Sequence, residues 1–209
     1  MEIRELERVE YREALALQER LRSERQAGTT GDVLLLLEHD PVYTRGRRSD
    51  PKVELPMGVD WYRCQGIDVV DTDRGGKVTY HGPGQLVGYP IMAVTDVVAY
   101  VRSMERAIIA ALAEEGISAR SRADEGRDFT GVWVEDRKIA SIGVHVQRGV
   151  STHGFAVNVD GDLQPWQWIV PCGLDGVRMT SVLKENGHAD MAAFRSRIAA
   201  AFEREHAKV

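Results

Sequence analysis

Apolar residues recur at helical spacing in three stretches of the chain. The spacing predicts one helix over residues 10–27, a second that begins after Asp96 and ends before Gly116, and a third over residues 189–206. Asp96 is a good N-cap because its carboxylate can accept hydrogen bonds from the first free backbone N–H groups. Gly28 and Gly116 suit the ends of the first two helices, since glycine readily adopts the left-handed conformation found there.

Shorter apolar runs predict β-strands. The continuous run at residues 33–37 has the length of a buried strand. The further runs cover residues 67–70, 78–80, 86–91, 130–134, 139–146 and 151–159. The last three are separated by short turns and predict a meander. Residues 44–58 are rich in Arg, Gly, Pro and Asp and predict a long loop.

The order of these elements indicates the fold class. Strands come in runs, with helices between and after them, which favours an α+β fold with a mixed, mostly antiparallel sheet over strict βαβ alternation. We find no repeat and no linker, and we predict a single domain over residues 1–209. The segment 166–178 is the candidate for a semi-independent lobe.

Composition excludes several classes of protein. The chain has 209 residues and a net charge of -5, which argues against a general nucleic-acid binder. The longest apolar run falls far short of the roughly 18 residues of a membrane span, and the charged N-terminus lacks the apolar core of a signal peptide. Only Cys64 and Cys172 are present, which favours a reducing, cytoplasmic location. We expect neither nucleic acid nor membrane as a partner.

A glycine-rich segment at residues 74–85 is the first candidate for chemistry. Glycine lets the backbone approach a ligand closely and adopt positive φ. Its spacing matches neither a phosphate-binding Walker loop nor a dinucleotide fingerprint. Two interpretations stay open from composition alone, namely a ligand-binding loop and a simple hairpin connection.

Lys138 and Cys172 are the candidate reactive side chains. Lys138 precedes an apolar strand, where a lysine is usually a solvated turn residue, but an ammonium beside an apolar pocket is suited to acid–base chemistry. Cys172 lies between Pro171 and Gly173, a constrained turn that gives the thiol little steric cover. A nucleophilic thiol needs a lowered pKa or a nearby base, which Lys138 or a histidine would supply. Cys64 has no such setting, and we interpret it as structural.

The segment 151–159 combines a histidine with small residues. His153 fits a hydrogen-bonded strand histidine, and Asn158 fits a side chain that satisfies backbone groups. Gly154 and Ala156 leave room for an apolar chain. We expect no metal site, because the candidate ligands lack paired ligand spacing. These candidates are His39, His81, His145, His153 and Cys172.

Five segments in the same order carry a family resemblance. They are residues 36–44, the R-G-G-x-x-T-x-H-G-P-G-Q segment at 74–85, T-G-V-W-V with K-I-A-S-I-G at 130–143, T-H-G-F-A-x-N-V at 152–159, and P-C-G at 171–173. Together they resemble the octanoyl-[acyl-carrier-protein]:protein N-octanoyltransferases, or lipoyl(octanoyl) transferases, which are related to the catalytic modules of biotin and lipoate protein ligases. The similarity extends from about residue 34 to 182.

The resemblance implies a fold, a reaction and a site. The fold is a mixed sheet flanked by helices, as in biotin and lipoate protein ligases. A cysteine–lysine dyad falls on Cys172, which would hold an acyl thioester, and on Lys138, which would act as acid or base. The implied acyl pocket consists of Arg74, Gly75, Gly76, Lys77, Val78, Thr79, Tyr80, His81, Ser141, Ile142, Gly143, Gly154, Phe155 and Ala156.

The resemblance also implies partners in lipoate biosynthesis and protein lipoylation. The donor would be octanoyl-acyl carrier protein. The acceptors would be lipoyl-domain proteins such as 2-oxoacid dehydrogenase E2 subunits and the glycine cleavage H protein, and no cofactor is expected. Because the carrier is acidic, we expect a basic patch to contact it. The candidates for that patch are Arg45, Arg47, Arg48 and Lys52.

Three other functions compete with this one. An ATP-dependent lipoate or biotin ligase would share the fold but needs no nucleophilic cysteine, so Cys172 and Lys138 argue against it. A cysteine hydrolase or thioesterase would use the same dyad and differ only in the acceptor. A non-catalytic lipoyl-domain binding module would tolerate loss of the Cys172 thiol.

Overall fold

The computed structural model describes residues 1–171 and 176–207, and its elements are numbered in chain order. The strands of the larger sheet are β1 (Glu2–Val9), β2 (Val33–His39), β6 (Gln85–Ile91), β7 (Arg120–Ser121), β8 (Gly131–Val134), β9 (Arg137–Gln147), β10 (Val150–Asn158) and β11 (Arg178–Met179). Those of the smaller sheet are β3 (Val42–Arg45), β4 (Asp68–Asp71) and β5 (Thr79–His81). The α-helices are α1 (Tyr11–Gln26), α2 (Pro51–Glu54), α3 (Val59–Cys64), α4 (Val97–Glu114), α5 (Val182–Asn186) and α6 (Met191–His206).

The strand order confirms the predicted α+β class. Within the described residues, the larger sheet runs β1-β2-β6-β10-β9-β8-β7, with β11 beside β9, and the smaller sheet runs β4-β3-β5. Most neighbours are antiparallel, and β8, β9 and β10 form the predicted meander. The parallel pairs are β1 with β2, β9 with β11, and β3 with β4.

The apolar run of β2 reflects a sheet that is covered on both faces. Leu34 and Leu36 pack in the core beneath α4 and α6, whereas Val33, Leu35 and Leu37 pack in the core beneath α1. A strand buried on both faces needs apolar side chains at every position, so its sequence does not alternate. The larger sheet is therefore the middle layer of the molecule.

Helix α4 begins and ends as its sequence predicts. The Asp96 carboxylate accepts hydrogen bonds from the backbone N–H groups of Val98 and Ala99. Gly116 follows the helix with φ of +77°. One face of α4 is buried against the sheet and α6. None of the helices among the described residues is both long and apolar enough to cross a membrane.

The predicted loop at 44–58 and the predicted lobe at 166–178 differ from expectation. The former contains the end of β3 and the short helix α2, which begins with Pro51 after the N-cap Asp50. Residues 164–168 form a 3-10 turn that packs onto the smaller sheet instead of standing apart. The Tyr43 hydroxyl donates a hydrogen bond to the Pro165 carbonyl at 2.6 Å, and the Tyr62 hydroxyl donates one to the Trp168 carbonyl at 2.7 Å.

Candidate functional site

A cavity of about 350 Å³ lies between the two sheets. Its walls come from β5, β9 and β10, from the glycine-rich segment, and from the starts of α1 and α4. The volume is that of a small-molecule site. All of the predicted substrate-binding residues line it except Tyr80. Those that line it are Arg74, Gly75, Gly76, Lys77, Val78, Thr79, His81, Ser141, Ile142, Gly143, Gly154, Phe155 and Ala156.

Tyr80 lies apart from the cavity because side chains alternate along a strand. Thr79 and His81, its neighbours on β5, line the cavity. The Tyr80 ring packs instead at 5.5 Å from the Tyr43 ring and at 5.8 Å from the Trp166 ring, measured between centroids. Successive side chains on a strand point to opposite faces, so Tyr80 belongs to the aromatic core behind the smaller sheet.

Lys138 reaches the cavity through a β-bulge. Val132 pairs with Ala140 and Trp133 pairs with Lys138, so Ile139 is the extra residue on β9. Ile139 and Ala140 both pack in the helix-side core, and the bulge brings Lys138 back to the cavity face. Its side chain is 1% exposed, with Nζ 5.2 Å from the centroid of the Trp133 ring. Lys138 is thus a buried cavity residue and not a solvated turn residue.

Gly131 makes room for that lysine. Its φ is +132°, and a Cβ placed on it would lie 2.4 Å from the Ala140 carbonyl oxygen and 2.8 Å from the Lys138 Cε. The buried Glu105 carboxylate accepts a hydrogen bond from the Gly131 N–H at 3.1 Å. The start of β8 is therefore fixed beside the lysine chain, where no larger residue fits.

Of the two predicted reactive residues, Cys172 lies outside the described residues. The chain that follows returns to the lysine, because Met179 pairs with Lys138 and the Thr180 N–H donates to the Lys138 carbonyl at 3.0 Å. The other cysteine, Cys64, is exposed at the end of α3 and is not among the residues that line the cavity.

The glycine-rich segment forms a wall of the cavity and does more than connect two strands. The Gly75 N–H donates to the Val144 carbonyl at 2.9 Å, which joins the segment to β9. A Cβ on Gly143 would lie 2.8 Å from the Gly75 carbonyl oxygen, so this approach requires glycine. The buried Arg74 guanidinium donates to the carbonyls of Thr44 and Lys77 at 2.6 and 2.7 Å and thereby fixes the segment's curvature.

His153 is held from two sides in a strained conformation. Its φ is +58°, which is uncommon for a residue other than glycine and occurs often at functional sites. Its N–H donates to the Gln18 side-chain oxygen at 2.7 Å. Its Nε2 lies 2.7 Å from Asp73 Oδ1, and the His145 Nδ1 also hydrogen-bonds to the Asp73 carboxylate. Asp73 thus joins the beginning of the glycine-rich segment to β9 and β10.

Burial and hydrogen bonding set the charge states of this pair. Burial lowers the pKa of His153, although the Asp73 carboxylate opposes that shift. The hydrogen bond from His153 holds the pKa of Asp73 well below its usual value. Neutral His153 donates Nε2–H to Asp73, which leaves Nδ1 as an acceptor.

Several buried polar atoms face the cavity with unused hydrogen-bonding capacity. Within residues 1–171 and 176–207, no hydrogen-bond partner is found for Thr79 Oγ1, Ser141 Oγ or His153 Nδ1, and all three residues line the cavity. A buried polar atom without a partner is costly, so such atoms mark places where a ligand or water binds. The cavity is thus apolar along its strands and carries polar positions at separate points.

A hydrogen-bonded chain supports the cavity floor. His81 Nδ1 lies 2.7 Å from Gln85 Oε1, and Gln85 Nε2 donates to Asn158 Oδ1 at 3.0 Å. Asn158 Nδ2 then donates to the Thr180 carbonyl at 3.0 Å, so Asn158 satisfies a backbone group as its sequence context suggests. Burial lowers the pKa of His81 well below its usual value, which keeps its ring neutral.

Sequence reasoning missed several residues of the cavity wall. They are Tyr11, Arg48, Tyr89, Val97, Val101, Arg127, Asp128, Thr130, Val144 and His153 as a cavity residue. Most come from helix starts and turns that lie far apart in the sequence, so only the assembled fold brings them together. His153 adjoins the predicted pocket residue Gly154, but its sequence context predicts only a hydrogen-bonded strand histidine.

Two expectations concern charged groups, namely the absence of a metal site and a basic patch that contacts the carrier. The described part of the chain holds no group of three or more His, Cys, Asp or Glu side chains arranged to bind a metal ion. Arg45 hydrogen-bonds to Asp71 at 2.6 Å, and Lys52 is exposed on α2, away from the cavity. Arg47 is exposed, whereas Arg48 lines the cavity.

Three comparisons relate this chain to known proteins. The family model described as the lipoyl protein ligase A/B catalytic domain matches residues 10–203. An octanoyltransferase of Solibacter usitatus is 52% identical over 178 residues, which cover 82% of this chain and 78% of that protein.

Solved structures share the fold. A bi-partite lipoate protein ligase from Thermoplasma acidophilum, studied together with its E2 lipoyl domain, has a TM-score of 0.73 and 18% identity, covering 99% of this chain and 84% of its own. The biotin protein ligase of Aquifex aeolicus has a TM-score of 0.55 and 12% identity, and the match covers 100% of this chain and 69% of that protein. Matches over nearly the whole sequence, with a relative above half identity, establish that this chain is an acyltransferase that belongs to the lipoyl protein ligase A/B catalytic domain family.

Proposed function

We propose that this acyltransferase moves an octanoyl group from octanoyl-acyl carrier protein to a lysine of a lipoyl-domain protein, through a thioester on Cys172. The observation that carries the proposal is Lys138, a buried amine on the wall of a largely apolar cavity. Relatives named octanoyltransferase support the acyl group. The reaction would take place in the cytoplasm, in one catalytic domain that spans residues 1–209.

The first half-reaction exchanges one thioester for another. The Cys172 thiolate attacks the carbonyl carbon of the donor thioester, the bond to the carrier sulfur breaks, and the Lys138 ammonium gives that sulfur its proton. The products are the octanoyl-Cys172 thioester, the free carrier thiol and a neutral Lys138 amine. A thiol replaces a thiol, so no ATP is consumed.

The second half-reaction forms the amide. The neutral amine of the acceptor lysine attacks the octanoyl-Cys172 carbonyl, the carbon–sulfur bond breaks, and Lys138 takes the proton that the attacking nitrogen loses. The enzyme returns to a Cys172 thiolate and a Lys138 ammonium. The Ser141 hydroxyl and nearby backbone N–H groups are the candidates to stabilise the oxyanion.

Intact-mass measurement tests the covalent step. After the enzyme is mixed with octanoyl-acyl carrier protein alone, we expect a mass increase of one octanoyl group, which peptide mapping places on Cys172. Cys172→Ser should lack the thioester adduct. Cys64→Ser is the matched control, since Cys64 is exposed and outside the cavity, and it should form the adduct as the wild type does.

Other outcomes would favour the competing functions. A requirement for ATP would indicate a ligase. Release of octanoate to water, with no transfer when a lipoyl domain is added, would indicate a thioesterase. Full turnover by Cys172→Ser would contradict the covalent route. Lys138→Met retains the chain's length beside Trp133 and should lose transfer while it binds the donor.

A further inference from the structure

The cavity carries more positive charge than an octanoyl thioester explains. Five cationic side chains line it, and Asp128 is the one carboxylate among the described residues of its wall. The chain as a whole has a net charge of -5, so this local excess is a property of the site. The cationic side chains are Arg48, Arg74, Lys77, Arg127 and Lys138. An octanoyl thioester is uncharged, so the excess indicates an anionic group elsewhere on the substrate.

Three of these cations converge from separate loops. Arg48 Nη1 lies 2.9 Å from Asp128 Oδ1, and Lys77 Nζ lies 3.9 Å from Asp128 Oδ2. Arg127, the neighbour of Asp128, is exposed and has no carboxylate partner within the part of the chain that is described. The Asp128 carboxylate therefore contacts two cations, Arg48 and Lys77, and a third cation, Arg127, is its neighbour in the chain.

The two loops that carry Arg48 and Lys77 are fixed to each other. The Arg47 and Arg48 N–H groups donate to the Arg74 and Gly76 carbonyls, each at 3.0 Å. The buried Glu54 carboxylate accepts hydrogen bonds from the Ser49 hydroxyl and from the Val78 N–H, which adds a second connection. The backbone positions of Arg48 and Lys77 are thus set by these hydrogen bonds and do not depend on Asp128.

We propose that Arg48, Lys77 and Arg127 bind the phosphodiester of the donor's phosphopantetheine arm, and that Asp128 occupies this anion site until the donor displaces it. The proposal rests on the proposed function, which supplies a thioester donor. An arginine fork and a lysine ammonium match two phosphate oxygens as they match the two carboxylate oxygens of Asp128. All four side chains are partly or fully exposed, so the donor can reach them from solvent.

The proposal predicts opposite effects for the two signs of charge. Arg48→Gln and Lys77→Gln remove phosphate contacts and should weaken use of a phosphorylated donor. Asp128→Asn removes the competing carboxylate and should strengthen it. A residue needed only for folding would not produce this reversal of sign.

A matched pair of donors isolates the phosphate. We would measure kcat/KM for octanoyl-4′-phosphopantetheine and for octanoyl-pantetheine, which differ only in that group, and compare their ratio between variants. We expect the ratio to fall about tenfold in Arg48→Gln and Lys77→Gln and to rise about threefold in Asp128→Asn at low salt. Both changes should shrink at high ionic strength. Arg20→Gln on the outer face of α1 is the control cation and should leave the ratio as in the wild type.

Three results separate the possible failures. An unchanged ratio in all variants overturns the anion site. Effects that appear with the whole carrier protein but not with free phosphopantetheine also overturn it, because they assign the cations to carboxylates on the carrier surface. Transfer from neither donor nor the carrier protein contradicts the proposed function itself.

Discussion

Asp73 and His153 are joined by a hydrogen bond of 2.7 Å between Oδ1 and Nε2, and this contact holds a strand residue with a φ of +58°. The same carboxylate hydrogen-bonds to His145 on the adjacent strand. Because Asp73 immediately precedes the glycine-rich segment, it connects that wall of the cavity to the strands opposite.

Asp73→Ala tests this connection. The change leaves the buried His153 Nε2–H without its acceptor, so we expect the free energy of unfolding to fall by about 1–3 kcal/mol and kcat/KM to fall with it. Urea denaturation gives the first quantity and steady-state transfer the second. Asp71→Ala is the matched control, because Asp71 is 74% exposed in its bridge to Arg45, and it should cost about 1 kcal/mol or less. Equal losses in the two variants would contradict the role of Asp73.

Gly131→Ala tests the placement of the lysine. The new Cβ would lie 2.4 Å from a backbone oxygen and 2.8 Å from Lys138 Cε, so the amine must move. We expect transfer to fall by at least about tenfold, since a small displacement of a catalytic group is costly. Gly149→Ala is the control, because Gly149 also has positive φ but nothing lies near its added Cβ. That variant should lose about 1 kcal/mol of stability and keep its activity per folded molecule.

Phe155→Leu tests the limit on acyl length. Phe155 is among the residues that line the cavity, and its ring stacks on the Phe202 ring with centroids 5.8 Å apart. A smaller side chain adds apolar space, so longer acyl donors should gain up to about fourfold per accommodated methylene relative to octanoyl. Phe194→Leu, in the same core but not on the cavity wall, should lose a similar stability of about 1–3 kcal/mol without a change in chain preference. The same acyl chain-length preference in Phe155→Leu and Phe194→Leu would exclude Phe155 as a determinant of acyl length.

Stability should depend on pH through buried histidines. Burial lowers the pKa of His39 from 6.5 to about 4, where its Nδ1 lies 2.8 Å from the Val9 carbonyl oxygen and its Nε2 lies 2.7 Å from the Tyr89 hydroxyl. Between these two pKa values the unfolded chain binds a proton at His39 that the folded protein does not bind. The contribution of neutral His39 to the free energy of unfolding is therefore complete above pH 6.5 and is lost as the pH falls toward 4. The slope from one such histidine reaches about 1.4 kcal/mol per pH unit.

Urea midpoints at pH 7.5, 6, 5 and 4.5 measure that slope. His39→Gln removes the titrating ring, so the free energy of unfolding of the variant should fall less steeply with decreasing pH than that of the wild type. This difference in slope does not depend on how much stability the variant loses at neutral pH. Parallel pH profiles for the wild type and the variant would contradict a depressed His39 pKa.

Local pattern was enough to predict most elements of this fold. The capped helix after Asp96 and the apolar run of β2 follow from interactions within a few residues, and both are observed. Strand β1 was missed because it lies at the sheet edge, where its exposed positions carry charges that obscure the alternation. Its pairing with β2 depends on contacts across the sheet.

The site was less accessible to such reasoning. Motifs identified most of the residues of the cavity wall. Which side chains on a strand point into the cavity, however, depends on where the alternation of its two faces begins and on whether a bulge interrupts it. Tyr80 shows this on a regular strand, and Lys138 shows it on a bulged one. The contacts of Asp73 with His153 and of Arg48 with Asp128 join segments 80 residues apart, so tertiary folding alone brings them together.

The additional residue at Ile139 links the chemistry of this protein to the pleating of one strand. If Ile139 instead took a regular ladder position opposite Trp133, residue 138 would pair with Val134 and its side chain would turn to the face of Val132 and Val134, inside the apolar layer under the helices. No water reaches that layer, so burying the Lys138 ammonium there would cost several kcal/mol of folding free energy. With one residue between Lys138 and Ala140, uninterrupted pairing of β8 with β9 and an amine that faces the cavity therefore exclude each other.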